Sequence, residues 1–350
     1  MKVLLTIWLL LLLIEVHSQN RTADFSYIDR KVQSIDGTDP EILSQQLTTP
    51  YQTEIEKVRA IFRWITEHIA YFKREPPNRK KQKKLVPYDF DYPIVYDTGA
   101  LQPLTERAAL KVLHDKKAVC EGYARLFKSL CDHAGIRSEI ITGFARTDPS
   151  IVQARFRSNH SWNAVRIDSA WYLLDVTWAS GVIIFPTGEF LKYYDDYYFL
   201  TPPDKFIKHH YPDDLHWALL DELPAMNEFR QTPYRQRSFV KYPIINFSPA
   251  TGLIEASIGD TLRFELETEP GQRNWTISSD SLWDGIDQRN PMFAYLQPMS
   301  SGSSNKQYYL FPVVSEDIQW LHLMYNNDAV LRYRLKIKKD IAKENKNGTY

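Results

Sequence analysis

The chain has 350 residues, 43% of them hydrophobic and 25% charged, which is enough apolar content to bury a core and enough length for two domains. Lysine plus arginine equals aspartate plus glutamate at 43 each, so no global field singles out nucleic acid or a membrane surface as a partner. The two cysteines, Cys120 and Cys131, are too few for a disulfide framework, and stability has to come from ordinary packing.

At the N-terminus, Met1-Lys2, an apolar run over residues 3–14 and Val16-His17-Ser18 before Gln19 have the layout of a secretory signal peptide over residues 1–18. The run falls short of the ~20 residues that span a bilayer, and no cysteine follows it to accept a lipid anchor. A secreted or periplasmic protein with no stable membrane insertion after signal cleavage is therefore expected. Residues 19–50 are polar and read as a leader or surface strap. Thr53-Glu54-Ile55-Glu56 is a capping box, and Ile55, Val58, Ile61, Phe62, Ile65 and Ile69 form the apolar stripe of a helix reaching about Tyr71. Residues 73–84 are a basic loop containing Pro76 and Pro77, read as solvated. A second helix from Thr105 to near Leu113 delivers the chain to Cys120.

Tyr123, Leu126, Phe127, Leu130, Cys131 and Ala134 recur at intervals of three and four, with Gly135 placed for a left-handed C-cap. Cys120 thus sits in the first turn of an amphipathic helix, where free N–H groups and the positive end of the dipole favour a thiolate and can receive an oxyanion. Cys131 lies ~16 Å further along such a helix, beyond the ~7 Å between Cα atoms that a disulfide tolerates. Both thiols should be free, with Cys131 a small apolar core residue.

Residues 137–145 read as a strand. Beyond a loop, His160-Ser161-Trp162-Asn163-Ala164-Val165-Arg166-Ile167, then Asp168-Ser169, then Ala170-Trp171-Tyr172-Leu173-Leu174-Asp175 read as a β-hairpin. A two-residue turn at Asp168-Ser169 pairs Ile167 with Ala170 and puts His160 and Asp175 on one face as diagonal neighbours. Slipping by one residue would separate them. A first-turn cysteine, an imidazole and an orienting carboxylate make up a nucleophile, base and orienter.

In Ala118-Val119-Cys120-Glu121-Gly122-Tyr123-Ala124, in His160-Ser161-Trp162-Asn163 and in Trp171 to Trp178, the sequence resembles the transglutaminase-like superfamily. Tyr198-Phe199-Leu200-Thr201, Asp204-Lys205-Phe206-Ile207 and Tyr211-Pro212 make it most similar to the kyphoscoliosis-peptidase-like branch. The resemblance covers roughly residues 50–235 and implies an α+β, papain-like catalytic core. In it a cysteine at a helix N-terminus faces His and Asp on an antiparallel sheet. It implies acyl transfer with Cys120 as nucleophile, His160 as general base and acid, and Asp175 as orienter, on peptide or protein amides with hydrolysis favoured. A cross-linking transglutaminase and an inert binding or adhesion module are the alternatives. Ala118 stands where the family usually has Gly, and Ser169 replaces the Gly of the usual Asp-Gly turn, which demands a strained or longer turn. Substrate contacts are expected from Trp162, Tyr88 and Tyr92, and the second oxyanion donor is unassigned.

The aromatics Tyr193, Tyr194, Tyr197, Tyr198 and Phe199 are expected to close the core. His209, His210 and His216 with Asp213 and Asp214 match no zinc spacing, so neither metal nor cofactor is expected. From about Tyr242 short alternating segments separated by Gly, Pro, Asn and Ser suggest an immunoglobulin-like β-sandwich, a surface for a protein partner. The expected organisation is a signal peptide at 1–18, a leader or strap at 19–50, a catalytic domain at 51–240, a β-sandwich at 241–338 and a flexible basic tail at 339–350.

Overall fold

The computed structural model describes residues 24–72, 102–146, 158–183, 189–236, 238–239, 242–269, 292–299 and 305–338. The architecture is mixed helix and sheet. The first helices already belong to the core. Asp39 caps α2 (Pro40–Thr48) by accepting from the Ile42 N–H, and together α1 (Ser26–Val32) and α2 bury Ile28, Val32, Leu43 and Leu47. Part of the segment read as a polar strap therefore packs as helix, because four spaced apolar side chains suffice once a neighbouring helix covers them.

That neighbour is α3 (Glu54–His68), opened by the expected capping box: Thr53 accepts from the Glu56 N–H, and the Glu56 carboxylate accepts from the Thr53 N–H. Its face Val58, Ile61, Phe62 and Ile65 is fully buried. Arg59 is buried as well and forks onto Asp29 of α1 at 2.7 and 2.8 Å, so the charge enters the interior paired. Tyr198 is buried, and Tyr194, Tyr197 and Phe199 pack against this core as the sequence suggested.

Helix α4 (Leu104–Asp115) ends at Lys116 in the left-handed region, and β2 (Lys117–Ala118) then pairs in parallel with β1 (Ala70–Tyr71). α5 (Cys120–His133) ends in a Schellman motif, with Gly135 at φ +72°, the Ile136 N–H on the Cys131 carbonyl at 2.9 Å and the Gly135 N–H on Asp132 at 3.1 Å. It packs on an antiparallel sheet built from β3 (Ser138–Ala145), β4 (His160–Ile167), β5 (Ala170–Leu174) and β8 (His210–Pro212), in the order β5-β4-β3-β8. Ile167 pairs with Ala170 as expected. Asp168 and Ser169 have φ of 47° and 73°, so the turn stays at two residues by placing both in the left-handed region without a glycine. The Asp168 N–H donates to Glu54 of α3 at 2.8 Å, which ties the turn down.

After β5 the chain forms α6 (Val176–Ser180), the hairpin of β6 (Gly181–Ile183) with β7 (Phe190–Lys192), α7 (Pro203–Phe206), β8 and α8 (Met226–Gln231). β9 (Tyr234–Arg235) then pairs with β16 (Asp328–Ile337). The remaining strands form two sheets. One is β10 (Ile244–Ser248), β12 (Thr261–Thr268) and β14 (Lys306–Pro312). The other is β11 (Leu253–Ala256), β16, β15 (Trp320–Tyr325) and β13 (Phe293–Leu296). Both face one core of Phe264, Leu266, Tyr309, Leu321, Leu323 and Tyr333. Two of the pairings, β11 with β16 and β13 with β15, are parallel, which the alternating sequence texture did not announce. Among the described residues no helix is long and apolar enough to cross a membrane. The N-terminal apolar run, the basic loop at 73–84 and the tail at 339–350 lie outside the described residues.

Candidate active site

Cys120 occupies the first position of α5, and Val119 before it supplies no side-chain cap. Three contacts fix this helix end. The Tyr123 hydroxyl donates to the Ile69 carbonyl at 2.8 Å. The buried Asn163 amide of β4 donates to the carbonyls of Ala124, 3.0 Å, and Glu139, 3.2 Å, joining helix and sheet one turn from the cysteine. At Gly122 a Cβ would lie 2.7 Å from the Ala118 methyl and 3.1 Å from Val112. The methyl that departs from the family's Gly is thus accommodated by the glycine two residues after Cys120.

His160 opens β4 opposite Gly143, and Asp175 follows β5 as the N-cap of α6, its Oδ1 accepting from the Trp178 N–H at 2.9 Å. Asp175 Oδ2 lies 2.6 Å from His160 Nε2. With Nε2 committed to the carboxylate, Nδ1 is the nitrogen left for the thiol, and His160 and the Ser161 N–H act on Cys120 strongly enough to lower its pKa. The structure therefore brings Cys120, His160 and Asp175 together, from three separate elements.

A residue that sequence reasoning missed joins them. His210 Nε2 is 2.9 Å from the same Asp175 Oδ2. Its ring stacks on Phe206 with centroids 4.2 Å apart and lies 4.5 Å from Trp178. No local signal marks it. Only the pairing of β8 with β3, Ala145 against His210, delivers it to the site.

Burial opposes the charged form of each group here, and the partners decide the outcome. Burial would lower the His160 pKa, but the Asp175 charge and hydrogen bond outweigh it and push it up to about 10. Burial would likewise raise the Cys120 thiol, yet hydrogen bonding and charge from His160, with the Ser161 N–H, bring it below its ordinary value. Asp175 is held well below the usual carboxylate range against its own burial by His160 and His210. Burial keeps His210 neutral, with its pKa down at about 4. These shifts all act in one direction, toward a thiolate beside an imidazolium braced by a carboxylate.

His160, Asp175 and His210 offer ligand atoms within 4.8 Å of one another, a spacing that could hold a metal ion. Both imidazoles, however, direct Nε2 at one carboxylate oxygen, so the protons on those nitrogens occupy the lone pairs a metal would need. The group fits a hydrogen-bonded carboxylate better than a coordination sphere.

Trp162, expected at the substrate, is instead 1% exposed and packs beneath the site, with ring centroids 6.1 Å from His160 and 5.1 Å from His210. Alternation on β4 explains the correction: a side chain two residues from a buried His160 points into the same interior. Tyr88 and Tyr92 lie outside the described residues.

The two free thiols differ sharply. Cys120 is partly exposed and lowered, while Cys131 is fully buried and raised by that burial. In the native protein near pH ~6, below the ordinary thiol value, iodoacetamide should therefore label Cys120 and leave Cys131 untouched until unfolding. Peptide mass spectrometry of a pH series checks this, and equal labelling of the two would contradict the geometry.

Residues 88–176, which contain all three groups, match the family model described as the transglutaminase-like superfamily. The human kyphoscoliosis peptidase (Homo sapiens) is 30% identical over 224 residues, 63% of this chain and 30% of its own length. Hillarin of Drosophila melanogaster is 30% identical over 235 residues, 63% of this chain and 26% of its own. The chain thus spans less than a third of these relatives. A solved structure of a TGase aligns with 55% of this chain and 42% of its own at 18% identity, with a TM-score of 0.26. The relatives are all from eukaryotes and include cytokinesis protein 3 of Saccharomyces cerevisiae, which contradicts the expectation of a secreted or periplasmic protein. A short apolar run has the composition of a signal peptide, but composition does not identify an address by itself. The segment that carries the site is thus similar to the transglutaminase-like superfamily.

Proposed function

We propose that the chain is a cysteine-dependent acyl-transfer enzyme acting on amide bonds of peptides or proteins, hydrolysis being favoured over cross-linking. One observation carries the reading: the His160 imidazole links a lowered Cys120 thiol to Asp175 at 2.6 Å. Cys120 Sγ attacks the carbonyl carbon, and its electron pair forms the thioester as the C–N bond breaks. His160 passes its Nδ1 proton to the leaving amine, then takes a proton from water as the hydroxide displaces sulfur. Asp175 holds the ring through Nε2 and stabilises its cation. The Cys120 and Glu121 N–H groups at the start of α5 are the donors this reading assigns to the oxyanion, because those of Gly122 and Tyr123 already bond to the Val119 carbonyl.

The catalytic domain in this reading covers residues 51–240, and residues 241–338 form an immunoglobulin-like partner-binding unit that recruits a large substrate. β9 of the first unit pairs with β16 of the second, Arg235 against Leu331 and Tyr234 against Arg332, and the Arg146 guanidinium just after β3 holds the chain before β9 by donating to the carbonyls of Thr232, 2.7 Å, and Pro233, 3.2 Å, which supports a fixed docking of the two. The test is a peptide carrying an electrophilic amide mimic, followed by mass spectrometry of the intact protein. A mass increment on Cys120, absent after Cys120→Ser, is expected. No adduct and no turnover of any amide or ester panel, with partner capture intact in Cys120→Ser, would favour an inert binding module.

A further inference from the structure

Asp175 receives three hydrogen bonds although a pair of residues would suffice for the relay. Its Oδ1 takes the Trp178 N–H at 2.9 Å, and its Oδ2 takes His160 at 2.6 Å and His210 at 2.9 Å. Neither the carboxylate nor the second imidazole is solvent-exposed, at 0% and 1%. His210 is held by packing on every side: stacked on Phe206 at 4.2 Å, 4.5 Å from Trp178 and 5.1 Å from Trp162, on a strand whose register against β3 is fixed. A ring so enclosed cannot swing away from the oxygen.

We propose that His210 is a positioning residue of this site: its neutral ring donates from Nε2 to Asp175 Oδ2, fixes the carboxylate plane, and moderates the pull of that oxygen on the His160 imidazolium. It rests on the acyl-transfer reading above and adds a residue to it. A carboxylate oxygen shared between two donors gives less of its charge to each. With His210 in place the imidazolium is strong enough to keep the thiolate, yet still acidic enough to release its proton to a leaving amine. Without it the ion pair becomes too stable to turn over efficiently.

The other titratable groups facing the pair do not blur the reading. Tyr71 of β1 is pushed up to about 12 by burial and by the Cys120 and Asp175 charges, and Tyr123 of α5 is also raised by burial. His209 beside His210 is held well below its ordinary value by burial and by the charges of His210, Arg235, Arg146 and Lys208. Each of them is thus shifted away from neutral pH.

The test compares the pH dependence of Cys120 alkylation in the full chain and in two variants. His210→Phe keeps a ring and removes the donor, whereas His210→Gln keeps an N–H at the reach of Nε2. Alkylation should rise in two steps, the first as the thiolate–imidazolium pair forms and the second as the imidazolium loses its proton. In His210→Phe the two steps should move apart, each by up to about one pH unit, a tenfold change in the equilibrium. In His210→Gln they should stay near those of the parent. A parent with both steps and a Phe variant that reproduces them would overturn the role of His210 alone. A parent with no early step would sink the acyl-transfer reading and this one with it. Should His210→Phe fail to fold, nitrogen-15 NMR of the histidine rings in the parent decides the matter. His210 is expected as the neutral Nε2–H tautomer between about pH 5 and 8, and an imidazolium or an Nδ1–H tautomer there would refute the proposal.

Discussion

Asp175→Asn is expected to lower turnover by about 10⁴-fold while leaving the protein folded. The size follows from proton placement. Oδ1 accepts from the Trp178 N–H, so the asparagine oxygen takes that position and its NH₂ group turns to where Oδ2 stood. There it faces Nε2 of both His160 and His210, and each ring must become an acceptor at that nitrogen. The His160 proton then resides on Nδ1, the imidazolium loses its counter-charge, and the early alkylation step of Cys120 retreats toward the ordinary thiol value of about 8.5.

The same substitution changes how stability depends on pH. His160 has a folded pKa raised to about 10, so its contribution is fully present below its unfolded value of about 6.5 and is lost as pH rises through about 10. Asp175 has a depressed folded pKa, so its contribution is present above about 3.9 and is lost as pH falls through the folded value. Both contributions disappear in the variant. Because the lowered Cys120 thiol offsets the His160 term up to the unfolded thiol value of about 8.5, thermal unfolding should show the parent losing stability between about pH 8.5 and pH 10 and the variant changing far less over that range. A melting temperature that collapses at every pH, in parallel with activity, would make Asp175 a structural residue.

Gly143→Ala is expected to be the most damaging single-methyl change in the sheet. A Cβ at Gly143 would stand 2.3 Å from the Tyr211 carbonyl oxygen, 2.6 Å from Trp162 and 2.8 Å from the Pro212 Cα. Two of these are backbone atoms of β8, so strand β8 has to move away from β3. Overpacking of this kind costs about 1–3 kcal/mol, and because His210 sits on the displaced strand, Asp175 loses a donor at the same time. Unfolding in denaturant should show the lower midpoint, and the alkylation profile should move toward that of His210→Phe. Gly135→Ala is the control: it has nothing within 4 Å and only the penalty of φ +72°, about 1 kcal/mol. It should leave the Cys120 profile unchanged. A Gly143→Ala protein as stable as its parent would mean that β8 is not packed as described.

Much of the site is written in local sequence. The capping box at Thr53, the three-and-four spacing after Cys120 and the turn at Asp168-Ser169 each report a period or a terminus within about one helical turn or one hairpin, and the structure realises all three. A first-turn cysteine and a histidine and aspartate in one hairpin were therefore legible residue by residue. Residues 26–48 were not, since their apolar positions are sparse and become core only under α3. Trp162 was misplaced because period two says which residues share a face, not whether that face meets substrate or interior. The parallel pairings among β11, β13, β15 and β16 join segments distant in sequence and leave no local trace. His210 is the sharpest case. A pair of adjacent histidines, read in isolation, suggested no function, and it was the crossing of β8 onto β3 that set one of them on Asp175 and buried the other. Local periodicity determines which elements form and which face they bury. The pairing of distant strands, driven by burial of those faces, decides which charged groups share an oxygen, and so the chemistry.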